Sequence, residues 1–346
     1  MKAVLLIGGL ATRLLPLSKC LPKSLLPVCD REILHYQITQ LAMAGISEIV
    51  LAAGHHVEQL HEFVKDYGGG LRFEFSVEPD PRGTAGAIAN AREMLEEEPV
   101  VVLNADILSS VKIADVIKLH EQRGTPATLV GVGVTDPSRY GLLRVRDNSL
   151  LGFSEKPEGD LGPGPHYINA GIYVLEPLVY EEIPLGQAVS IERQTFPKLL
   201  NDHGNLTHYA HEGLWLDIGT FESYFQANFT LLARRYAVGD DWLWGERVDC
   251  AVFKDLIYLN KLAHLDHGVD LFHRVIVMRN AAIESNCRLQ NCLVLPDAVI
   301  GPNCRLTDCI IGPSAKVAEG SQASNVVVIA GEEDTPFYPA AITVTQ

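Results

Sequence analysis

The chain has 346 residues, a length that suggests about two domains, and its 47% hydrophobic with 21% charged residues suits a globular protein with a sizeable core, not a disordered or fibrous one. With 43 acidic against 28 basic residues the net charge is −15, which argues against nucleic acid or an anionic membrane as partner; a polyanionic ligand must meet a local cationic site. MKAVLLIGG is too short in apolar residues for a signal sequence, no stretch is long enough to span a bilayer, and seven cysteines without CxxC spacing fit reduced thiols, so the expected location is cytoplasmic.

The chain opens MKAVLLIGGLATRLLPLSKCLPKSLLPV. Ala3 to Ile7 reads as a buried strand, and Gly8-Gly9 ends it with residues that tolerate positive φ and leave backbone N–H groups free to cradle phosphate or lie against a base. An ordinary strand-to-helix turn would use the same glycines; Arg13 and Lys23, on a loop broken by Pro16, Pro22 and Pro27, favour the anionic ligand. Further strands are expected at Glu48–Ala52, Leu71–Val77 and Val100–Leu103, with Leu34, Ile38, Leu41 and Ala42 marking one helix face. Alternation of this kind predicts an α/β domain, a Rossmann-like, mostly parallel sheet over residues 1–235, whose ligands bind where strands end at their carboxyl edge. The Gly8-Gly9 loop and the Asn104-Ala105-Asp106 turn are expected on that edge. His55, His56 and His61 lack HExxH spacing and read as surface residues on a helix. KPEGDLGPGP (156–165) reads as a surface loop, and RRYAVGDDWLWGERVD (234–249) marks a junction, assigned to residues 236–270.

The last part, residues 271–346, changes character. SNCRLQNCLVLPDA (285–298) returns as PNCRLTDCIIGPSA (302–315), and each unit divides into pieces of about six, the hexapeptide signature of a parallel β-helix. Cys287 and Cys292 recur as Cys304 and Cys309, so they are expected to stack as small inward-facing residues; a four-cysteine zinc site is the sharper alternative, with spacing untypical of a zinc knuckle.

GGLATRLLPLSKCLPKSLLPV (8–28) resembles the signature of the sugar-1-phosphate nucleotidyltransferases, most closely their mannose-1-phosphate guanylyltransferase (GDP-mannose pyrophosphorylase) branch. The resemblance continues in family order through EPDPRGTAGAI (78–88), LNAD (103–106), YGLLRV (140–145), FSEKP (153–157), INAGIYVLEP (168–177), SIERQTFPKLL (190–200) and LWLDIGTFESY (214–224). It implies a nucleotidyltransferase catalytic domain followed by a short left-handed β-helix, and an enzyme that joins a nucleoside triphosphate to a sugar 1-phosphate with release of pyrophosphate.

The chemistry asks for the same residue types. A sugar phosphate attacking the α-phosphorus brings together about six negative charges, so cations and a metal are needed, while the nucleophile is already ionised and needs no base. Arg13 suits the β- and γ-phosphates bidentately and Lys23 the α-phosphate as a point charge, the roles the resemblance also implies. Asp106 and Asp217 each end an apolar run; two carboxylates with substrate phosphates suit Mg²⁺, which the resemblance implies as cofactor, while helix capping is the plainer use of such an aspartate. Gly8, Gly9, Ala11, Thr12, Glu78, Gly83, Thr84 and Ala85 are expected around the nucleotide, with Gly83 to Gly86 allowing close approach to the base and Glu78 near its edge. The resemblance implies Tyr140, Gly141, Glu155, Lys156 and Asn169 for the sugar and its phosphate.

Two positions depart from the family: Ala11 and Ala105 stand where glycine is usual, tolerable if φ is negative. They keep open a second class of function, a non-catalytic nucleotide-sugar sensor that regulates a partner subunit. A bifunctional enzyme with an acetyltransferase tail is a third reading, weakened by the shortness of the repeat. Among bases, guanine presents two adjacent donors that one carboxylate can accept together, so GTP is expected; adenylyl, thymidylyl and uridylyl transfer remain alternatives. Mannose 1-phosphate is the acceptor the resemblance implies, with glucose, heptose or cyclitol phosphates open. Open-ended strands of the β-helix are expected to be covered by the catalytic domain or by another subunit, and a homo-oligomer is predicted.

Overall fold

The computed structural model describes residues 1–9, 11–54, 56–65, 67–155, 166–238, 250–253, 256–331 and 337–339. The segments 156–165 and 239–249, in which a loop and the core of the junction were expected, lie outside them, as do Leu10, His55 and Lys156. The chain divides into two compact units: Met1–Gly9 with Gln37–Leu216, and Leu10–Tyr36 with Asp217–Gln346.

The first unit is built on a nine-stranded sheet in the order Arg72–Val77, Glu48–Ala53, Lys2–Leu6, Val100–Asn104, His166–Leu175, Ala127–Val134, Leu206–His211, Ser149–Glu155, Gly141–Arg146. The first four strands are all parallel, with Ala3 opposite Ile49 and Val101; Glu48–Ala53, Lys2–Leu6 and Val100–Asn104 read as near-continuous apolar runs because both faces are covered, whereas the edge strand Arg72–Val77 alternates polar and apolar residues. Their carboxyl ends therefore share one edge, where Gly8, Gly54, Glu78 and Asp106 follow. The other half is mixed, which corrects the expectation of a mostly parallel sheet. His166–Leu175 runs antiparallel to both neighbours, and a two-residue turn at Asp147-Asn148 folds two strands into a hairpin that no crossover helix could separate. The core packs Val4, Val50, Ile88, Val102, Leu129, Tyr173 and Phe196. In the helix Ile33–Met43 the buried residues are Ile33, Leu34, Tyr36, Gln37, Ile38, Gln40 and Leu41, and Ala42 is exposed, a turn of about 100° beyond Leu41. His56 precedes the helix Val57–Lys65 at φ 59°, not on it, whereas His61 lies on its exposed face and stacks on Phe75.

In the second unit the repeat forms two ladders of parallel strands. Ile257–Asn260, Asp270–Val277, Arg288–Val294, Arg305–Ile311 and Gln322–Val328 make one; His264–Leu265, Ala282–Ile283, Val299–Ile300 and Lys316–Val317 make the other. The register repeats the sequence: Arg288 faces Arg305, Arg305 faces Gln322, and Cys292 faces Cys309. Residues of both ladders share one core, including Cys287, Cys292, Cys304 and Cys309, all fully buried as expected. The thiols of Cys287 and Cys304 donate to the Gly301 and Ala318 carbonyls of the following repeat, at 3.0 and 3.1 Å. Antiparallel strands, Cys250–Phe253 and Phe337–Pro339, extend the longer ladder at both ends and form its outer strands. Among the described residues no helix is long and apolar enough to cross a membrane.

Candidate functional site

Within the first unit, the carboxyl edge collects buried acceptors. Glu78 follows the strand Arg72–Val77 and is only 3% exposed; its Oε1 has no hydrogen-bond partner, and a Cβ on Gly8 would lie 3.9 Å from its Oε2. Burial raises the Glu78 pKa, opposed by the Arg82 charge and its backbone. Asn104 Oδ1 is a second buried acceptor without a partner. Such groups cost about 1–3 kcal/mol each when left unpaired, and a ligand that donates to them recovers it. The turn after Asn104 carries Ala105 and Asp106, and Gln37 holds it by donating to the Asn104 and Ile107 carbonyls at 2.8 and 2.9 Å. Ala105 is not in the left-handed region, so its methyl group costs the turn nothing.

The GTAG segment opens the helix Gly83–Ala91. Gly83 has φ 70°, and a Cβ there would lie 2.6 Å from the Val189 carbonyl oxygen; one on Gly86 would lie 2.8 Å from the Gln187 carbonyl oxygen. The close approach that demands glycine is thus to the chain's own 187–189 backbone, whose Val189 carbonyl accepts from Ala85 and Gly86. Thr84 Oγ1 donates to Glu192 at 2.8 Å and accepts from the Ile191 N–H at 2.9 Å. Glu192 also accepts from Ser190 at 2.8 Å and lies 3.5 Å from the Tyr173 hydroxyl, to which Asn169 donates at 2.7 Å. One network thereby joins a residue expected at the nucleotide to one expected at the sugar. Asn169 begins a bulge in its strand, where Gly171 takes φ 71° with the Asn104 side chain in the place of a Cβ. Trp215 Nε1 donates to the Ala170 carbonyl at 3.0 Å and meets the Tyr140 ring edge-on at 5.4 Å. Gly141 is buried at the start of its strand, and Glu155 ends the neighbouring one. Glu192, Tyr173 and Trp215 were not singled out from the sequence, though SIERQ, INAGIYVLEP and LWLD contain them; the contacts of Glu192 with Thr84 and of Trp215 with Tyr140 are too distant in sequence to read.

Within the second unit, three of the four residues expected to act on phosphate are neighbours. Thr12 and Arg13 lie exposed on a 3₁₀ turn, Thr12–Leu14, preceded by Ala11 at φ 42° and ψ 41°. The expected tolerance of Ala11 rested on a negative φ, and the loop instead bends through the left-handed region. Lys23 opens a second 3₁₀ turn, Lys23–Leu25, and its Nζ stands 3.9 Å from the Asp217 carboxylate, a loose pair in which both side chains are largely but not fully buried. A Cβ on Gly219 would lie 3.1 Å from Arg13 Nη2 and 3.3 Å from Asp217 Oδ1, so both side chains cross over that glycine. Two cations beside one carboxylate make a site that a polyphosphate with a divalent ion complements.

The sequence profile of the Nucleotidyl transferase family matches residues 2–234, and that of the GMPPB C-terminal domain matches 253–335. The chain is 38% identical to "Mannose-1-phosphate guanyltransferase 2" of Candida glabrata over 63% of its own length and 61% of that protein. It is 32% identical to "Probable mannose-1-phosphate guanylyltransferase 3" of Oryza sativa subsp. japonica, over 85% and 81%. The match spans only about three fifths of the length of the first such relatives. Among solved structures, HddC from Yersinia pseudotuberculosis complexed with GMP-PN superposes with a TM-score of 0.57 at 27% identity, covering 66% of this chain and 99% of that one. With more than half of its length in the family profile, the chain belongs to the Nucleotidyl transferase family and carries a GMPPB C-terminal domain.

Proposed function

We propose that the protein transfers a guanylyl group from GTP to a sugar 1-phosphate, mannose 1-phosphate first among candidates, giving an NDP-sugar and pyrophosphate. The observation that carries the choice of base is Glu78. A buried carboxylate with an unpartnered oxygen beside Gly8 suits the adjacent N1–H and N2–H₂ donors of guanine, whereas uracil and thymine would set carbonyls against it. The guanine nucleotide bound by HddC and the names of the curated relatives support the same reading. The sugar phosphate oxygen attacks the α-phosphorus in line as the bond to the β-phosphate oxygen breaks. Arg13 holds the β- and γ-phosphates, and Lys23 meets the charge that grows on the α-phosphate oxygens in the transition state. Tyr140, Gly141, Glu155, Lys156 and Asn169 take the sugar and its phosphate. Asp106 and Asp217 supply hard carboxylate oxygens, the donor type that Mg²⁺ takes together with phosphates, and Asp217 remains 26% exposed, so the donor set fits. When bound, the ion neutralises phosphate charge.

The two ladders belong in this reading to a short left-handed β-helix, which the 17-residue register supports, and the boundaries 1–235, 236–270 and 271–346 are kept as the domain assignment. Cys20, Cys29, Cys287, Cys292, Cys304 and Cys309 form no disulfide, which supports a reducing, cytoplasmic location. The outer strands of the shorter ladder, His264–Leu265 and Lys316–Val317, have a strand neighbour on one side only among the described residues, which supports a homo-oligomer. A second reading, a nucleotide-sugar-sensing regulatory subunit, draws on Ala11, whose left-handed backbone would suit glycine better in a working phosphate loop. Pyrophosphate release from GTP, UTP, dTTP, ATP and CTP with a panel of sugar 1-phosphates tests both. GTP is expected to lead UTP and dTTP by at least about tenfold, the order of one hydrogen-bond mismatch, and Lys23→Ala to lower turnover by about two orders of magnitude or more. Nucleotide-sugar binding without release from any pair would establish the sensor.

A further inference from the structure

Behind Lys23 the chain makes a hairpin, Pro27–Val28 paired with Arg31–Glu32, whose two-residue turn is Cys29-Asp30. Both turn residues have positive φ, 50° and 72°, the pattern of a type I′ turn that Asn-Gly ordinarily occupies. A non-glycine pair holds this conformation only where its surroundings over-determine it, and here they do. Asn228 accepts from the Cys29 N–H at 2.9 Å. Asp30 is 8% exposed and accepts from the Tyr258 hydroxyl at 2.7 Å and the Asn260 amide at 2.9 Å on Oδ2, and from the Arg279 N–H at 2.7 Å on Oδ1. Arg279 closes the cluster, donating to the Asp30 carbonyl and to Glu32 at 3.0 Å each. Tyr258 and Asn260 lie in the first parallel strand of the C-terminal ladders, and Arg279 lies in the turn that follows the second, Asp270–Val277. The connection to Lys23 is short: the Leu26 N–H donates to the Lys23 carbonyl at 3.1 Å, and the Ile33 N–H donates to the Leu26 carbonyl at 3.2 Å. Tyr224 and Tyr36 hydroxyls hold the Pro27 and Val28 carbonyls between them, each at 2.7 Å.

We propose that the C-terminal ladders position Lys23 through a clamp on the Cys29-Asp30 turn, with Asp30 as the positioning residue and Tyr258, Asn260 and Arg279 as its holders. This rests on the assignment of Lys23 to the transition state. The clamp acts on placement, so its loss lowers kcat and leaves ground-state binding of GTP nearly intact. The C-terminal ladders are then a working part of the transferase.

The test is steady-state kinetics of the full chain with GTP and the preferred sugar phosphate, normalised to GTP-binding stoichiometry from calorimetry. Asp30→Gly keeps the positive φ and removes the carboxylate; it is expected to lower kcat between about ten- and a hundredfold with KM for GTP within about twofold. Asp30→Asn, which tolerates the same backbone and keeps one acceptor, is expected to recover part of that loss. Tyr258→Phe is expected to lower kcat less, and to add little further loss on top of Asp30→Gly, because both act through one contact. A folded Asp30→Gly protein with unchanged kcat, or one whose losses in kcat and binding stoichiometry are equal, overturns the clamp. Wild-type protein that turns over no pair overturns the function and the clamp together.

Discussion

Ala11 is an alanine in a place made for glycine. At φ 42° its Cβ crowds the following carbonyl, a strain of about 1 kcal/mol that glycine escapes while losing part of the gain to its freer unfolded chain. Ala11→Gly is therefore expected to stabilise by roughly 0.5 kcal/mol, read as a small rise in the thermal unfolding midpoint; a fall would mean that the methyl group packs usefully. Glu78 is the other residue whose setting decides its behaviour. Burial raises its pKa, so the folded state binds more protons than the unfolded one between the ordinary and the raised values, and in that window stability falls as pH rises. In the proposed function recognition runs the other way, because guanine would need the ionised form. Preference for GTP over UTP is expected to weaken as pH drops through the raised value, and Glu78→Gln to lose most of it at any pH. Rates with the two triphosphates between pH 5 and 8 check both.

At the level of elements, the mixed half of the sheet depends on one close fit. His208, in the strand Leu206–His211, is 1% exposed, and its ring fills the space over Gly131 in the neighbouring strand, where a Cβ would collide with it. Tyr167 meets the same imidazole at 4.8 Å. Gly131→Ala is expected to destabilise by about 1–3 kcal/mol, the usual cost of overpacking, measured by urea unfolding. Burial lowers the His208 pKa, opposed by the Asp147 backbone. Below the ordinary histidine value the unfolded chain then binds more protons than the folded one, so stability is present above about pH 6.5 and lost as pH falls through it. His208→Leu is expected to flatten that acid slope.

For the molecule as a whole, self-association turns on the outer strands of the C-terminal ladders. Antiparallel strands at 250–253 and 337–339 end the longer ladder, His264–Leu265 and Lys316–Val317 end the shorter one, and among the described residues each has a strand neighbour on one side only. Light scattering at micromolar concentration is expected to give more than one chain per particle; a monomer mass would leave the shorter ladder's outer strands without a second copy. A net charge of −15 works against aggregation, and in the proposed function it leaves anion binding to local cations such as Arg13 and Lys23.

Sequence alone determined whatever is encoded locally. Apolar runs broken by glycine placed the first parallel strands; the 17-residue repeat fixed a register in which Cys292 meets Cys309; ordered motifs picked out Arg13, Lys23 and Asp217, which lie together in one unit. Tertiary structure decided what depends on neighbours far along the chain. The mixed half of the sheet follows from strand pairings that periodicity cannot specify, and Gly83 and Gly86 are glycines because residues 187–189 crowd them. Likewise, Glu192 matters through Thr84, and Asp30 through Tyr258, Asn260 and Arg279, more than two hundred residues away. Hydrophobic periodicity reports which face of an element is buried, whereas a hydrogen bond or a steric limit exists only once two distant segments are brought within about 3 Å of each other.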